Sequence, residues 1–143
     1  GLSVPFVHML RETAEELRRA GKRKTGVMAT TGTVRMGLFQ SALGEAGIEA
    51  QLPSPACQEL VMSMIYDEIK AGKPASPEKF QAVEGELYAQ GCDSIVLGCT
   101  ELSLIKKSAP LGPGYLDALE VLSKRCVQLC GGALKTEYEN LLT

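Results

Sequence analysis

The sequence predicts an α/β protein, a three-layer sandwich in which helices cover both faces of a parallel sheet. Three observations carry this. Short apolar segments at residues 24–29, 48–52 and 94–98 alternate with amphipathic segments long enough to be helices. Connections of that length between strands imply right-handed crossovers, and therefore parallel pairing. Small-residue turns follow two of the strands, at residues 29–33 and 98–101, and ligands of open α/β sheets bind at the carboxyl ends of strands.

In chain order, residues 4–20 place Val4, Val7, Leu10, Ala14 and Leu17 at helical spacing, with basic residues near the end and Gly21 as the C-cap. Thr25 to Ala29 is apolar and runs into Thr30-Thr31-Gly32-Thr33, which suits a buried strand and its turn, and a helix then extends to Gly47. Ile48 to Leu52 forms a strand that Pro53 and Pro55 stop. Residues 56–71 are helical up to Gly72, a loop from Pro74 to Pro77 leads into a helix ending near Gln90, and residues 93–98 form the clearest strand. A short helix starts near Glu101. Residues 115–129 are helical, and the Gly/Pro-rich Leu111-Gly112-Pro113-Gly114 precedes them without a strand between. The sheet so predicted has three strands, too few to cover the apolar faces of the two terminal helices.

Composition narrows the function. The 143 residues are 45% apolar and 22% charged, as in an ordinary soluble domain. The formal net charge is −2 and the fifteen Lys and Arg are scattered, so neither a nucleic-acid nor a membrane-surface partner is expected. A small-molecule ligand is. No apolar run approaches the ~18 residues of a membrane span and the first residues lack signal-peptide character, so a cytoplasmic location is expected. The five cysteines, Cys57, Cys92, Cys99, Cys126 and Cys130, form no paired CxxC motifs and point to neither a disulfide framework nor a metal site.

Cys99 differs from the others in its place. Leu97-Gly98-Cys99-Thr100-Glu101 sets a thiol between a buried strand and a helix start, where unpaired N–H groups and the helix dipole favour an anion and lower a thiol pKa. Thr100 suits the N-cap, Glu101 suits the dipole, and Gly98 permits close approach of a ligand. A free cysteine is also commonly a small buried hydrophobe, the reading kept for the other four. Tyr66 and Lys70, four apart, share a helix face at the edge of an apolar arc, a position typical of a solvated flank, whereas Glu68 falls inside that arc without a physical reason. Thr33 also suits a helix N-cap, and Thr30 ends a strand on the crevice side. The lone His8 reads as structural, and Asp117 as a helix cap.

Three motifs give a resemblance. Leu97-Gly98-Cys99-Thr100-Glu101-Leu102 after an apolar strand resembles the carboxy-terminal cysteine motif of the aspartate/glutamate racemase superfamily. Ala29-Thr30-Thr31-Gly32-Thr33 is similar to its central Ala-Thr-x-Gly-Thr turn, and Tyr66 with Lys70 is similar to the pair of the aspartate racemase branch. Weaker similarity reaches both ends, through residues 4–9 and 115–119.

The resemblance implies one lobe of a two-lobe racemase fold. In it, residues 1–20 would be a connecting helix, 21–112 the carboxy-terminal catalytic lobe, and 113–143 terminal helices packing on an amino-terminal lobe. That lobe's Cys-Asn-Thr motif has no counterpart in this sequence. The family's mechanism would need no cofactor, neither pyridoxal phosphate nor metal: one thiolate removes the α-proton and a thiol on the opposite face returns one. Cys99 would be one of these two groups. Thr30, Thr33 and Thr100 would donate hydroxyls to the α-carboxylate, and Lys70 with Tyr66 would meet a side-chain carboxylate. The expected substrate is aspartate or glutamate, with this chain inactive alone and prone to form homo-oligomers. Hydantoin racemases, maleate isomerases and arylmalonate decarboxylases share the lobe architecture, and a non-catalytic carboxylate-binding half-domain is the alternative from another class.

Overall fold

The computed structural model describes residues 6–108 and 111–142. Helix α1 (Met9–Arg19) opens where His8, in extended conformation, lets its carbonyl accept the Glu12 N–H. It thus starts later than the predicted 4–20, and Val4 lies outside the described residues. It ends at Gly21, whose φ of 70° permits paired bonds from Gly21 N–H to the Arg18 carbonyl and from Lys22 N–H to the Leu17 carbonyl.

Strand β1 (Lys24–Met28) follows, then α2 (Thr31–Arg35) and α3 (Leu38–Glu45), β2 (Glu49–Gln51), α4 (Pro55–Ser63), α5 (Pro77–Ala89), β3 (Ser94–Leu97), α6 (Thr100–Ser108), β4 (Tyr115–Asp117) and α7 (Ala118–Leu129). Three of these depart from expectation. The helix after β1 is two helices, because Gly37 takes a left-handed φ of 67° between them. The helix of residues 56–71 changes at Met64–Ile69 into a π-helical turn, marked by Lys70 N–H bonding the Ile65 carbonyl five residues back. The segment 113–143, expected to be helical, begins with a strand whose three residues are all buried.

The sheet therefore has four strands, not three, all parallel in the order β2-β1-β3-β4. Alternation along each strand sorts side chains between two cores. Val27, Val96 and Leu116 face α1, α3 and α7 together with Leu17, Phe39 and Leu43. Met28, Ile95, Leu97 and Tyr115 face the other helices together with Val61, Met64, Leu87 and Leu102. Burial on both faces explains why β1 and β3 read as short continuous apolar runs. A buried hydrogen bond of 2.8 Å between Thr25 Oγ1 and Ser94 Oγ ties β1 to β3 inside this core. Helices α1 and α7 pack on each other, with ion pairs Lys124–Glu16 at 2.6 Å and Arg125–Glu12 at 3.4 Å at their edges.

Candidate active site

From β1 the chain crosses to β2 on one side, while β3 and β4 lie on the other, so strand order reverses between β1 and β3. A crevice opens at the carboxyl ends of strands where order reverses. The register pairs Met28 with Leu97, and Gly98 N–H donates to the Met28 carbonyl at 2.8 Å. Thr30 and Cys99, each two residues past a paired strand position, consequently share one edge of the sheet, as the sequence predicts.

Cys99 is half-buried at the start of α6, its carbonyl accepting from Ser103 N–H at 3.2 Å. Cys99 itself therefore caps the helix, and Thr100 is the first helical residue, not the cap. The Cys99 thiol donates to Glu101 Oε2 at 2.7 Å, and the Thr100 hydroxyl donates to the same oxygen at 3.0 Å. The thiol pKa is not lowered as the turn suggested but raised: burial comes first, and the Glu101 carboxylate adds to it by accepting a hydrogen bond from the thiol and disfavouring a second negative charge. The N–H groups of Glu101 and Leu102 pull the other way and lose. Glu101 is in turn held below its ordinary range by the thiol bond first, with Thr100 and Lys70 assisting.

Lys70 and Tyr66 reach this cluster from the π-helical turn. Lys70 Nζ stands 3.6 Å from Glu101 Oε1 and 4.3 Å from the Tyr66 ring centroid, a cation–π arrangement. Both side chains are exposed, with Tyr66 at 49% and Lys70 at 44%, so the ammonium keeps access to solvent and to a ligand. Cys99, Thr100, Glu101, Lys70 and Tyr66 thus form one chain of contacts.

Thr30 and Thr33 make a separate pair beside it. Thr30, not Thr33, caps α2: its hydroxyl accepts from Thr33 N–H at 3.4 Å and lies 3.0 Å from Thr33 Oγ1. Gln58 of α4 braces this turn, donating to the Ala29 carbonyl at 2.9 Å and the Thr31 hydroxyl at 3.3 Å.

The geometry corrects other readings. A Cβ on Gly98 would lie 2.5 Å from Phe39 Cε2, so this glycine admits a core ring, whatever a ligand gains from it. Glu68, unexplained on a straight helical wheel, accepts from Ser76 N–H at 2.7 Å and pairs with Lys79. Cys126 and Cys130 are exposed, not buried, whereas Cys92 is buried and burial raises its thiol pKa. His8 sets its ring edge-on to Phe6. Asp117 caps α7 as expected, accepting from Leu119 N–H at 2.9 Å, and it also takes the Ser103 hydroxyl at 2.8 Å. Sequence reasoning missed Glu101 as a thiol partner and Gln58 as a brace; for Glu101 the signal was available, as a carboxylate two residues past the cysteine.

Among the described residues no group of three or more His, Cys, Asp or Glu side chains is placed to hold a metal ion, and no helix is long and apolar enough to cross a membrane. Cavities of about 310 Å³ beside Asp117 and Lys124 and about 350 Å³ beside Phe80 and Glu84 lie away from Cys99. The cysteine stands at an open edge of the sheet.

The chain is similar to known proteins in sequence and in fold. Residues 1–122 match the family model described as Asp/Glu/Hydantoin racemase. The chain is 32% identical to a glutamate racemase of Pseudomonas aeruginosa over 146 aligned positions, covering 98% of this chain and 49% of that one. An uncharacterized protein of Pectobacterium carotovorum subsp. carotovorum is 31% identical over 125 residues, covering 86% of this chain and 83% of its own. Among solved structures, an aspartate racemase homologue from Pyrococcus horikoshii superimposes with a TM-score of 0.80 at 26% identity, covering 91% of this chain and 58% of that one. An aspartate racemase of Picrophilus torridus superimposes with a TM-score of 0.79 over the full chain and 60% of its own, at 24% identity, and shows the same fold. The chain spans about half the length of the glutamate racemase it matches. With a family model matched along most of its residues, the chain belongs to the Asp/Glu/Hydantoin racemase family.

Proposed function

We propose that this chain is the half-site of a cofactor-independent racemase of aspartate or glutamate, with Cys99 as one of two acid/base thiols. The observation that carries the reading is the placement of Cys99 at the strand-order reversal, bonded to Glu101 and within one carboxylate of Lys70. The substrate's side-chain carboxylate meets Lys70. Its α-carboxylate lies toward the Thr30, Thr33 and Thr100 hydroxyls, where donors can stabilise the charge that develops on loss of the α-proton. Because burial and Glu101 keep Cys99 protonated at neutral pH, it is the proton-donating partner in the resting state. The opposing thiolate abstracts the α-proton from the other face, Cys99 returns one, and the two groups exchange roles for the reverse reaction. No step uses pyridoxal phosphate or a metal.

The glutamate racemase and the aspartate racemase homologue are longer than this chain, and the opposing base is assigned to the part of such a protein that these residues do not span. Inversion needs a group on each face of the carbon. The isolated chain is therefore expected to show no racemisation of L-aspartate or L-glutamate by circular dichroism, without added pyridoxal phosphate. A longer form carrying both cysteines should racemise, lose activity by orders of magnitude in Cys99→Ala, and keep it in Cys126→Ala. Wild-type rates in the Cys99→Ala form would remove Cys99 from the mechanism.

A further inference from the structure

We infer that Glu101 is a positioning residue that couples Lys70 to Cys99, so that the charge state around Lys70 sets how firmly the Cys99 proton is held. Glu101 uses both of its oxygens. Oε2 receives the Cys99 thiol at 2.7 Å and the Thr100 hydroxyl at 3.0 Å, while Oε1 faces Lys70 Nζ at 3.6 Å. The two halves of the array come from different elements, α6 and the π-helical turn, and Glu101 is the contact between them. The titratable groups that meet Cys99 here are Glu101 from its own helix and, through it, Lys70; the turn after β1, at the same edge of the sheet, carries no titratable side chain at Thr30, Thr31 or Thr33.

The physical consequence follows from charge. An ammonium at Oε1 withdraws electron density from the carboxylate and weakens its grip on the thiol proton. An anion engaging Lys70 shares that ammonium, returns charge to Glu101, and tightens the grip. A ligand with a side-chain carboxylate would thereby secure Cys99 as the thiol before the opposite face is deprotonated, whereas an amino acid without one would not. That last step rests on the racemase reading. The coupling itself does not, because it can be measured without substrate.

The test is the pH profile of iodoacetamide alkylation at Cys99 in the 143-residue chain, read by mass spectrometry of its peptide so that the other cysteines do not interfere. Glu101→Gln, nearly isosteric, should raise the alkylation rate at pH 7.5 about tenfold. Lys70→Met should lower the rate about two- to threefold, a smaller effect because Lys70 is exposed and screened. In the Glu101→Gln background, Lys70→Met should have no effect. An unchanged profile in Glu101→Gln, or an equal effect of Lys70→Met in both backgrounds, would overturn the coupling, the second by showing that Lys70 acts on Cys99 directly. Either result leaves the racemase reading to its own assay.

Discussion

Gly98→Ala should destabilise the fold without touching the chemistry of Cys99. The added Cβ would stand 2.5 Å from Phe39 Cε2, 2.8 Å from Phe39 Cζ and 3.2 Å from the Ala29 Cβ, where ordinary contacts begin at 3.4 Å. Relief requires the ring to retreat by roughly 1 Å, and Phe39 is 1% exposed with Leu17, Leu43 and Val96 in the same cluster, so it has nowhere empty to go. Overpacking of this kind costs about 1–3 kcal/mol. The upper half of that range fits an aromatic ring met edge-on by backbone-fixed carbon, and for a chain of this size it lowers Tm by about 6–10 °C. Gly98 is absent from the positive-φ glycines, so backbone conformation adds nothing to the cost. Urea unfolding of Gly98→Ala, Phe39→Leu and the double variant measures it. Phe39→Leu alone should cost about 1–2 kcal/mol, and the double variant should be more stable than the sum of the singles predicts by at least about 1 kcal/mol. Additivity, or a Gly98→Ala protein as stable as the parent, would refute the packing explanation.

Burial raises the Asp117 carboxyl above its ordinary 3.8 despite its bonds to Ser103 and Leu119, because its second oxygen is buried without a partner. The neutral form is thus favoured by folding, and this stability is complete below about pH 4 and fades as pH rises through the raised value. Asp117→Asn should flatten that decline, while Asp117→Ala should cost about 1 kcal/mol at pH 7 through loss of the cap; parallel pH-stability curves for parent and Asn variant would exclude the titration. Glu68 has the opposite sign: Lys79 first, and then the Ser76 N–H, lower its pKa, so its contribution is present above about pH 4.5 and is lost as pH falls through the lowered value. Glu68→Ala should cost about 1–2 kcal/mol at pH 7 by thermal melting, and an unchanged Tm would show that the Ser76 loop is held by something else. At high concentration the chain should form homo-oligomers, and a clean monomer by sedimentation would count against it.

Strands β1 and β3 were legible because both of their faces are buried, which turns them into apolar runs bounded by turns, whereas the edge strand β2, with no fully buried residue, was marked by the prolines that follow it. Strand β4 was not. Its last residue, Asp117, is also the cap of α7, which makes Tyr115 and Leu116 look like the opening of the helix. The π-helical turn was equally hidden, since one extra residue in a turn leaves composition unchanged. Its effect on Glu68 is nonetheless large: positions within the turn rotate relative to a straight wheel, and the carboxylate counted into the apolar arc emerges beside Ser76 and Lys79.

The candidate site divides along the same line. That Thr30 and Cys99 belong to one edge follows from two turns on parallel strands, a property of topology, and topology is what hydrophobic patterning encodes. The protonation of Cys99 depends instead on how deeply the sulfur is buried and where one carboxylate rotamer points, neither of which a motif specifies. The helix terminus that argued for an anionic thiol is present, and its N–H groups do act on Cys99, yet burial and Glu101 outweigh them. A thiol held protonated at rest does not weaken the two-base mechanism. Two opposed thiolates could abstract a proton from either face but have none to return, and two thiols could abstract none. One partner must start charged and the other neutral. In the proposed mechanism the neutral role falls to Cys99, whose thiol is kept protonated by burial first and then by its 2.7 Å hydrogen bond to Glu101.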